Sequence, residues 1–314
     1  MRKLKIQAVV VTYNRKQLLL ECMDAILKQT YEVDNIILID NNSTDGTYEA
    51  LENAGYIDNN KVIYIKLQQN IGGAGGFHEG MKTARKYNAD WVWIMDDDTI
   101  PKENSLEELI KSLDLIEDNN ISYLASSVYG EHGEFMNVPK ISTTPSESGY
   151  PDWYKYLEKG IVKISEATFV SLLINGKALK AIGLPVKEYF IWGDDTEYTL
   201  RLNKYFGCSY MIGSSIVIHK RKGGKALSIV EENDRNRIKM YFYMIRNNYI
   251  NTKEYKRKRE LLNYNLSYIL TSLKILFSKK SKHKFYKIHI ILKGLYAAKL
   301  KKYDYNTFKN RLNS

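Results

Sequence analysis

Cysteine is scarce in this chain: Cys22 and Cys208 are the only two in 314 residues. They lie too far apart to form a close-spaced ligand pair, and two thiols build no disulfide framework, so a reduced, cytoplasmic setting is expected. Long apolar runs are missing too. Stretches such as Tyr268-Ile269-Leu270 are cut by polar residues far short of the roughly 20 needed to span a bilayer. Met1-Arg2-Lys3-Leu4-Lys5 leads straight into a strand-like run with no signal-peptide core. There is no internal repeat and no nucleic-acid-binding motif, so no nucleic-acid partner is expected. Acid is short at one end. Residues 226–314 hold 21 Lys and Arg against 6 Asp and Glu, a net of +15, which leaves −4 for residues 1–225 of the chain's +11. The positive charge belongs to the tail and marks two units with different partners.

At 44% hydrophobic residues, the chain has material for one large α/β domain plus an appendage. Its first half alternates. Strand-like runs at Ile6–Val11, Ile36–Ile39, Val62–Ile65 and Trp91–Met95 are separated by helical spacing over Arg15–Gln29, Thr44–Ala54 and Gly75–Tyr87, with Ser43 or Thr44 as cap of the second helix. This rhythm predicts βαβ units and a mostly parallel sheet, and continuous apolar strands predict that both faces are covered. Between Gly130 and Gly149 clustered Gly, Pro, Ser and Thr suggest a loop-rich insert. Regularity returns over Ala167–Ile174, Lys177–Ile182 and Asp195–Tyr205. Residues 233–251, 254–278 and 282–302 read as three amphipathic helices. The expected organisation is an α/β domain over 1–225 and a basic helical region over 226–314.

The apolar run Trp91–Met95 ends in Asp96-Asp97-Asp98. Three carboxylates at the C-terminal end of a buried strand lie where open α/β sheets hold ligands, and they repel one another unless solvated or gathered around a hard cation. Thr12-Tyr13-Asn14-Arg15 and Asp40-Asn41-Asn42-Ser43-Thr44-Asp45-Gly46 end the first two strands at the same edge. Asp40 there can accept the imide N–H of a uracil or thymine, and Arg15 near a helix start can meet a phosphate. Asn70-Ile71-Gly72-Gly73-Ala74-Gly75-Gly76-Phe77 lets backbone amides approach a ligand or serves as a plain turn. A second acidic cluster, Trp192-Gly193-Asp194-Asp195, opens a helix and suits either a cap or a general base, with Trp192 as a platform for a sugar ring. His219 ends the strand Ser215–Ile218, followed by Lys220, Arg221 and Lys222, and qualifies as a third metal ligand beside the Asp triplet.

Taken in order, Val10–Arg15, Ile39–Thr47, Asp96–Asp98 and Trp192–Asp195 resemble the motifs of family 2 inverting glycosyltransferases of the GT-A fold, over about residues 6–224. Asn70–Phe77, the full triplet, the Trp-x-Asp-Asp element, His219 and Tyr243–Asn247 resemble bacterial galactofuranosyltransferases within that family. The resemblance implies a GT-A, Rossmann-like, mostly parallel sheet flanked by helices, with a C-terminal helical region. It implies that Asp96, Asp98 and His219 hold Mn²⁺ or Mg²⁺. It further implies a nucleotide-sugar donor, UDP-galactofuranose, bound by Thr12, Asn14, Arg15, Asp40, Asn42, Asn70, Gly72, Gly73, Asp96 and Asp97. Asp195 is then the catalytic base, Asp194 the second choice, and Trp192 binds the acceptor. One alternative is a dTDP-rhamnosyltransferase of the same fold. Another is a non-catalytic glycan or nucleotide-sugar scaffold, against which the intact acidic pair and triplet argue.

Helices mixing Lys and Arg with Tyr, Phe, Leu and Ile match interfacial amphipathic helices. The tail is expected to sit on an anionic membrane surface, or to serve homo-oligomerisation. With the family resemblance, this points to a lipid-linked glycan acceptor in O-antigen or capsule-type polysaccharide assembly, and to a peripheral position at the inner face of the cell membrane.

Overall fold

The structure, a computed structural model, describes residues 3–221 and 228–300. Lys222 and the expected boundary at 225/226 lie outside the described residues. The strands are β1 (Ile6–Thr12), β2 (Asn35–Asp40), β3 (Val62–Lys66), β4 (Trp91–Asp96), β5 (Thr99–Pro101), β6 (Ile121–Tyr129), β7 (Lys140–Ile141), β8 (Ile161–Glu166), β9 (Leu172–Asn175) and β10 (Cys208–His219). The helices are α1 (Lys16–Leu27), α2 (Thr47–Asn53), α3 (Gly72–Lys86), α4 (Ser105–Ser112), α5 (Gly176–Ile182), α6 (Asp194–Tyr205), α7 (Arg235–Tyr255), α8 (Lys258–Phe277) and α9 (Lys284–Leu300).

All ten strands join one sheet in the order β3-β2-β1-β4-β9-β6-β10-β8-β7, with β5 on β10. The four strands β3, β2, β1 and β4 are parallel, as the alternating pattern predicts. Beyond them β9 runs antiparallel to both β4 and β6, while β6 and β10 are parallel. Alternation along β1 explains its two covered faces. Ile6, Ala8 and Val10 enter the core with Leu19, Met23 and Ile26 of α1. Val9 and Val11 face α3, where a Cβ at Gly80 or Gly76 would lie 2.3 or 2.4 Å from a valine methyl. Those two glycines let the helix backbone close onto the sheet. Helix α3 therefore begins at Gly72, earlier than the spacing suggests, and the glycine run is its first turns rather than a preceding turn. Helix α2 begins after Gly46, whose φ of +81° is left-handed, not at Thr44.

Within the described residues, 3–187 and 198–221 gather into one compact unit, and 188–197 with 228–300 into a second. The second unit has its own core of Ile229, Ile238, Tyr241, Ile245, Ile275, Ile290 and Ile291. Gly294 of α9 allows close approach to Ile245 of α7. The three C-terminal helices match the expected ones within a few residues.

Candidate active site

The register brings the ends of three parallel strands together, with Thr12 opposite Asp40 and Val11 opposite Asp96. Just past β4 the chain turns back as β5, which pairs antiparallel with β10 and sets Thr99 against His219. That pairing delivers His219 to the Asp triplet. Ligand atoms of Asp96, Asp98 and His219 lie within 4.8 Å of one another. Asp98 Oδ1 is 3.1 Å from His219 Nε2, yet it is buried and accepts no aligned hydrogen bond, and the neighbouring Thr99 hydroxyl is likewise without one. His219 Nδ1 lies 2.9 Å from Asn137 Oδ1. A neutral ring with its proton on Nδ1 donates to Asn137 and offers its Nε2 lone pair to a cation, whereas a charged ring donates from Nδ1 to Asn137 and faces Asp98 with the Nε2 proton. Two carboxylates, one of them with a buried oxygen left unsatisfied, and an imidazole fit Mn²⁺ or Mg²⁺.

Asp97 is not part of that cluster. It accepts from Thr12 Oγ1 at 2.7 Å and from Arg15 Nη1 at 3.1 Å, and the same Nη1 donates to Asp98 Oδ2 at 2.6 Å. Burial pushes the Asp97 carboxyl up to about 6 against the pull of Arg15. Burial also opposes ionisation of Asp98, but His219 and Arg15 hold it below its ordinary value. The Arg15 side chain is half exposed, with its Nη1 held between the Asp97 and Asp98 carboxylates.

Asp40 is wholly buried. Its oxygens accept from the Ser43 amide and the Tyr64 hydroxyl, each at 2.7 Å. Asn14 and Asn42 both adopt left-handed backbone. The Asn14 amide donates to Ser43 Oγ and its Oδ1 accepts from the Thr44 amide, tying the two strand ends. Asn70 Oδ1 accepts from the Gly72 amide, and Asn41 Nδ2 donates to Gly72 O. A Cβ at Gly73 would meet open space.

Asp194 and Asp195 belong to the second unit, at the start of α6. The segment before them is strained: Phe190, Trp192 and Gly193 have φ of 66°, 61° and 90°. Helix α7 holds it by its carbonyls. Asn247 Nδ2 donates to the carbonyls of Tyr189, Ile191 and Trp192 at 2.7–3.2 Å. Arg246 Nη2 donates to Glu188 O and Tyr189 O, and Asn251 Nδ2 to Gly193 O. Trp192 packs edge-on against Tyr241. Asp194 is buried, and burial raises its carboxyl well above the carboxylate range, with the charge of Asp195 adding to the rise. Asp195 Oδ1 accepts from the Thr196 amide.

Residues 7–165, half of the chain, match the family described as Glycosyl transferase family 2. The chain belongs to that family. Among its relatives, galactofuranosyltransferase GlfT1 of Mycolicibacterium smegmatis is 26% identical over 205 residues, covering 62% of this chain and 64% of that protein. GlfT1 of Mycobacterium tuberculosis (strain H37Rv) is 29% identical over 206 residues, 62% of this chain and 63% of that protein. The match thus spans less than two thirds of either relative. Among solved structures, S. aureus TarS 1-349 superposes with a TM-score of 0.53 at 15% identity, covering 93% of this chain and 70% of that one. The mannosyltransferase PcManGT from Pyrobaculum calidifontis, in complex with GDP-Man and Mn²⁺, gives 0.53 at 16% identity over 99% of this chain and 80% of that one. At such identities the likeness concerns the fold, and it bears out the fold class expected from the resemblance.

In this family 2 chain several site-building residues escape motif reading. Asn137 lies in the loop-rich insert, where nothing in the local sequence marks it. Tyr64 sits inside an ordinary strand. Asn251 did leave a trace: with Asn247 it forms an i, i+4 amide pair on a helix otherwise rich in Tyr, Lys and Arg.

Proposed function

We propose that this chain transfers galactofuranose, with inversion, from UDP-galactofuranose to a hydroxyl of a lipid-linked glycan in bacterial surface polysaccharide assembly. The observation that carries the reading is the cluster of Asp96, Asp98 and His219 beside Arg15 at the carboxyl edge of the sheet. Similarity to galactofuranosyltransferases supports the choice of donor. Asp96, Asp98 and His219 would hold Mn²⁺ or Mg²⁺, which when bound offsets the charge that a departing diphosphate gains. Arg15 adds a second positive charge for the diphosphate. Thr12, Asn14, Asn42, Asn70, Gly72 and Gly73 shape the donor subsite, Asp97 lies toward the ribose or sugar, and Asp40 reads the base once Tyr64 swings away.

In the transfer, the acceptor oxygen bonds to the anomeric carbon while the bond to the diphosphate breaks with its electron pair. Asp195 takes the hydroxyl proton. Asp194 is the second choice, its carboxyl pushed up by burial and by the charge of Asp195. Trp192 offers its ring to the acceptor sugar. A lipid-linked acceptor sets this work at the inner face of the cell membrane. The +15 of residues 226–314 suits peripheral binding to anionic lipid, at about 1 kcal/mol per well-placed cation.

The test is a donor panel with purified protein and isolated lipid-linked acceptors, the products read by mass spectrometry and NMR. Transfer from UDP-galactofuranose with inverted configuration is expected. Turnover of dTDP-rhamnose or UDP-galactopyranose without UDP-galactofuranose overturns the donor, and a retained configuration overturns the mechanism.

A further inference from the structure

Helix α8 presents a surface that the transfer chemistry does not use. Leu262, Leu266, Ile269, Leu270, Leu273 and Phe277 are each between 46% and 81% exposed. At about 100° per residue they fall within an arc of roughly 100°, and no polar side chain between Leu262 and Phe277 enters it. The opposite side of α8 does the packing: Ile275 is buried in the C-terminal core, Tyr268 packs against that core, and Tyr264 donates to Ile245 O of α7. A helix that packs by one face ordinarily shows polar residues on the other. This one is apolar on both.

The charge around the stripe is mostly positive, with the exposed Glu260 in the first turn of α8 set against it. From Leu261 to Leu300 there are eight lysines and no Asp or Glu. Lys258 and Arg259 stand exposed at one end of α8, and Lys274, Lys279 and Lys280 at the other. A second copy docking through this face would set cations against cations. An anionic bilayer satisfies both features, taking the apolar side chains below the headgroups and the lysines among them. Among the described residues no helix is long and apolar enough to cross a membrane.

We propose that this face of α8 is a lipid-docking surface, lying in the plane of an anionic membrane and inserting its leucines shallowly. It names the face that makes contact and so rests on the membrane association proposed above.

The experiment is flotation of the full chain with phosphatidylcholine vesicles, with and without phosphatidylglycerol, at low and high salt. Wild type should float with the anionic vesicles and less so at high salt. The variant Leu266→Gln/Leu270→Gln/Leu273→Gln changes only exposed positions. It should keep the wild-type circular dichroism and lose vesicle affinity by tenfold or more. In a second measurement, the indole added by Leu270→Trp should be quenched by brominated lipid beyond the quenching seen in wild type. Wild-type binding that the triple variant retains, or no added quenching in the bound Leu270→Trp variant, overturns the α8 face and leaves the membrane reading standing. Failure of wild type to bind any vesicle overturns the membrane reading itself. A dimer in light scattering that the triple variant abolishes, with vesicle binding unchanged, assigns the stripe to a second copy instead.

Discussion

Asp98 Oδ1 is a buried carboxylate oxygen without an aligned donor, a costly arrangement that a bound cation relieves. Mn²⁺ should therefore raise the melting temperature of wild type and not of Asp98→Ala. Asp96→Ala, Asp98→Ala or EDTA should nearly abolish transfer, and full activity in EDTA would remove the metal role. Asn137 holds the far nitrogen of His219, so Asn137→Ala should weaken Mn²⁺ binding by about 10- to 100-fold in titration calorimetry. Asp97 titrates in the opposite sense to an ordinary ion-paired carboxylate. Its pKa is about 6 folded against 3.8 for the free group, so the folded state binds the extra proton and this group's share of stability falls as pH rises from about 4 to 6. In EDTA, the melting temperature of Asp97→Asn relative to wild type should climb over that window and level off above pH 7; a flat difference contradicts the assignment. For the base, Asp195→Asn should cost about 100-fold or more in turnover with donor binding kept. An active Asp195→Asn beside a dead Asp194→Asn would reverse the assignment within the pair.

At the scale of the element, the glycines of α3 divide by what surrounds them. Gly76 lies where a methyl would strike Val11, so Gly76→Ala should overpack the β1–α3 layer and cost about 1–3 kcal/mol in denaturant melts. Gly73 faces open space on the same helix, and Gly73→Ala should leave stability intact or slightly improved. If Gly73 borders the donor, its alanine variant raises the donor KM without lowering the melting temperature. Equal destabilisation by both would mean that the helix, not its packing, needs glycine. The sequence showed a glycine-rich segment at the ligand edge, but glycine count alone does not separate a turn from a helix pressed against valines. The neighbouring β1 supplies that answer.

Across the whole molecule, residues 188–197 keep company with the C-terminal helices rather than with the sheet. Under the proposed function the tail serves the transfer as well as lipid docking, because α7 holds the loop that carries Asp194 and Asp195. Asn247→Ala in the full chain takes the donor from the Ile191 and Trp192 carbonyls, at about 1–3 kcal/mol for each group left unsatisfied, while Tyr189 O keeps Arg246 Nη2 and the Ile191 amide, and it frees the left-handed Phe190 and Trp192. Its kcat should fall tenfold or more while Mn²⁺ and UDP affinities stay at wild type, since Arg15, Asp96, Asp98 and His219 belong to the other unit. Unchanged kcat would make the amide ladder a matter of folding only.

The sequence by itself determined the strand-and-helix rhythm of the first half, because strands covered on both faces must read as continuous apolar runs and the helices between them must repeat near 3.6. It determined the carboxylates at the strand ends, since a parallel order puts those ends on one edge, and it determined the charge of the tail. Tertiary structure alone decided what those groups meet. His219 reaches Asp98 through the pairing of β5 with β10, Asn137 reaches His219 from a loop without a motif, and Tyr64 closes over Asp40 from the next strand. It also decided that α7 grips the loop before Asp194 and that α8 turns its leucines outward. The physical reason is common to all of these: local periodicity encodes which face of an element is apolar, whereas a partner far along the chain is chosen only when sheet register and helix packing close.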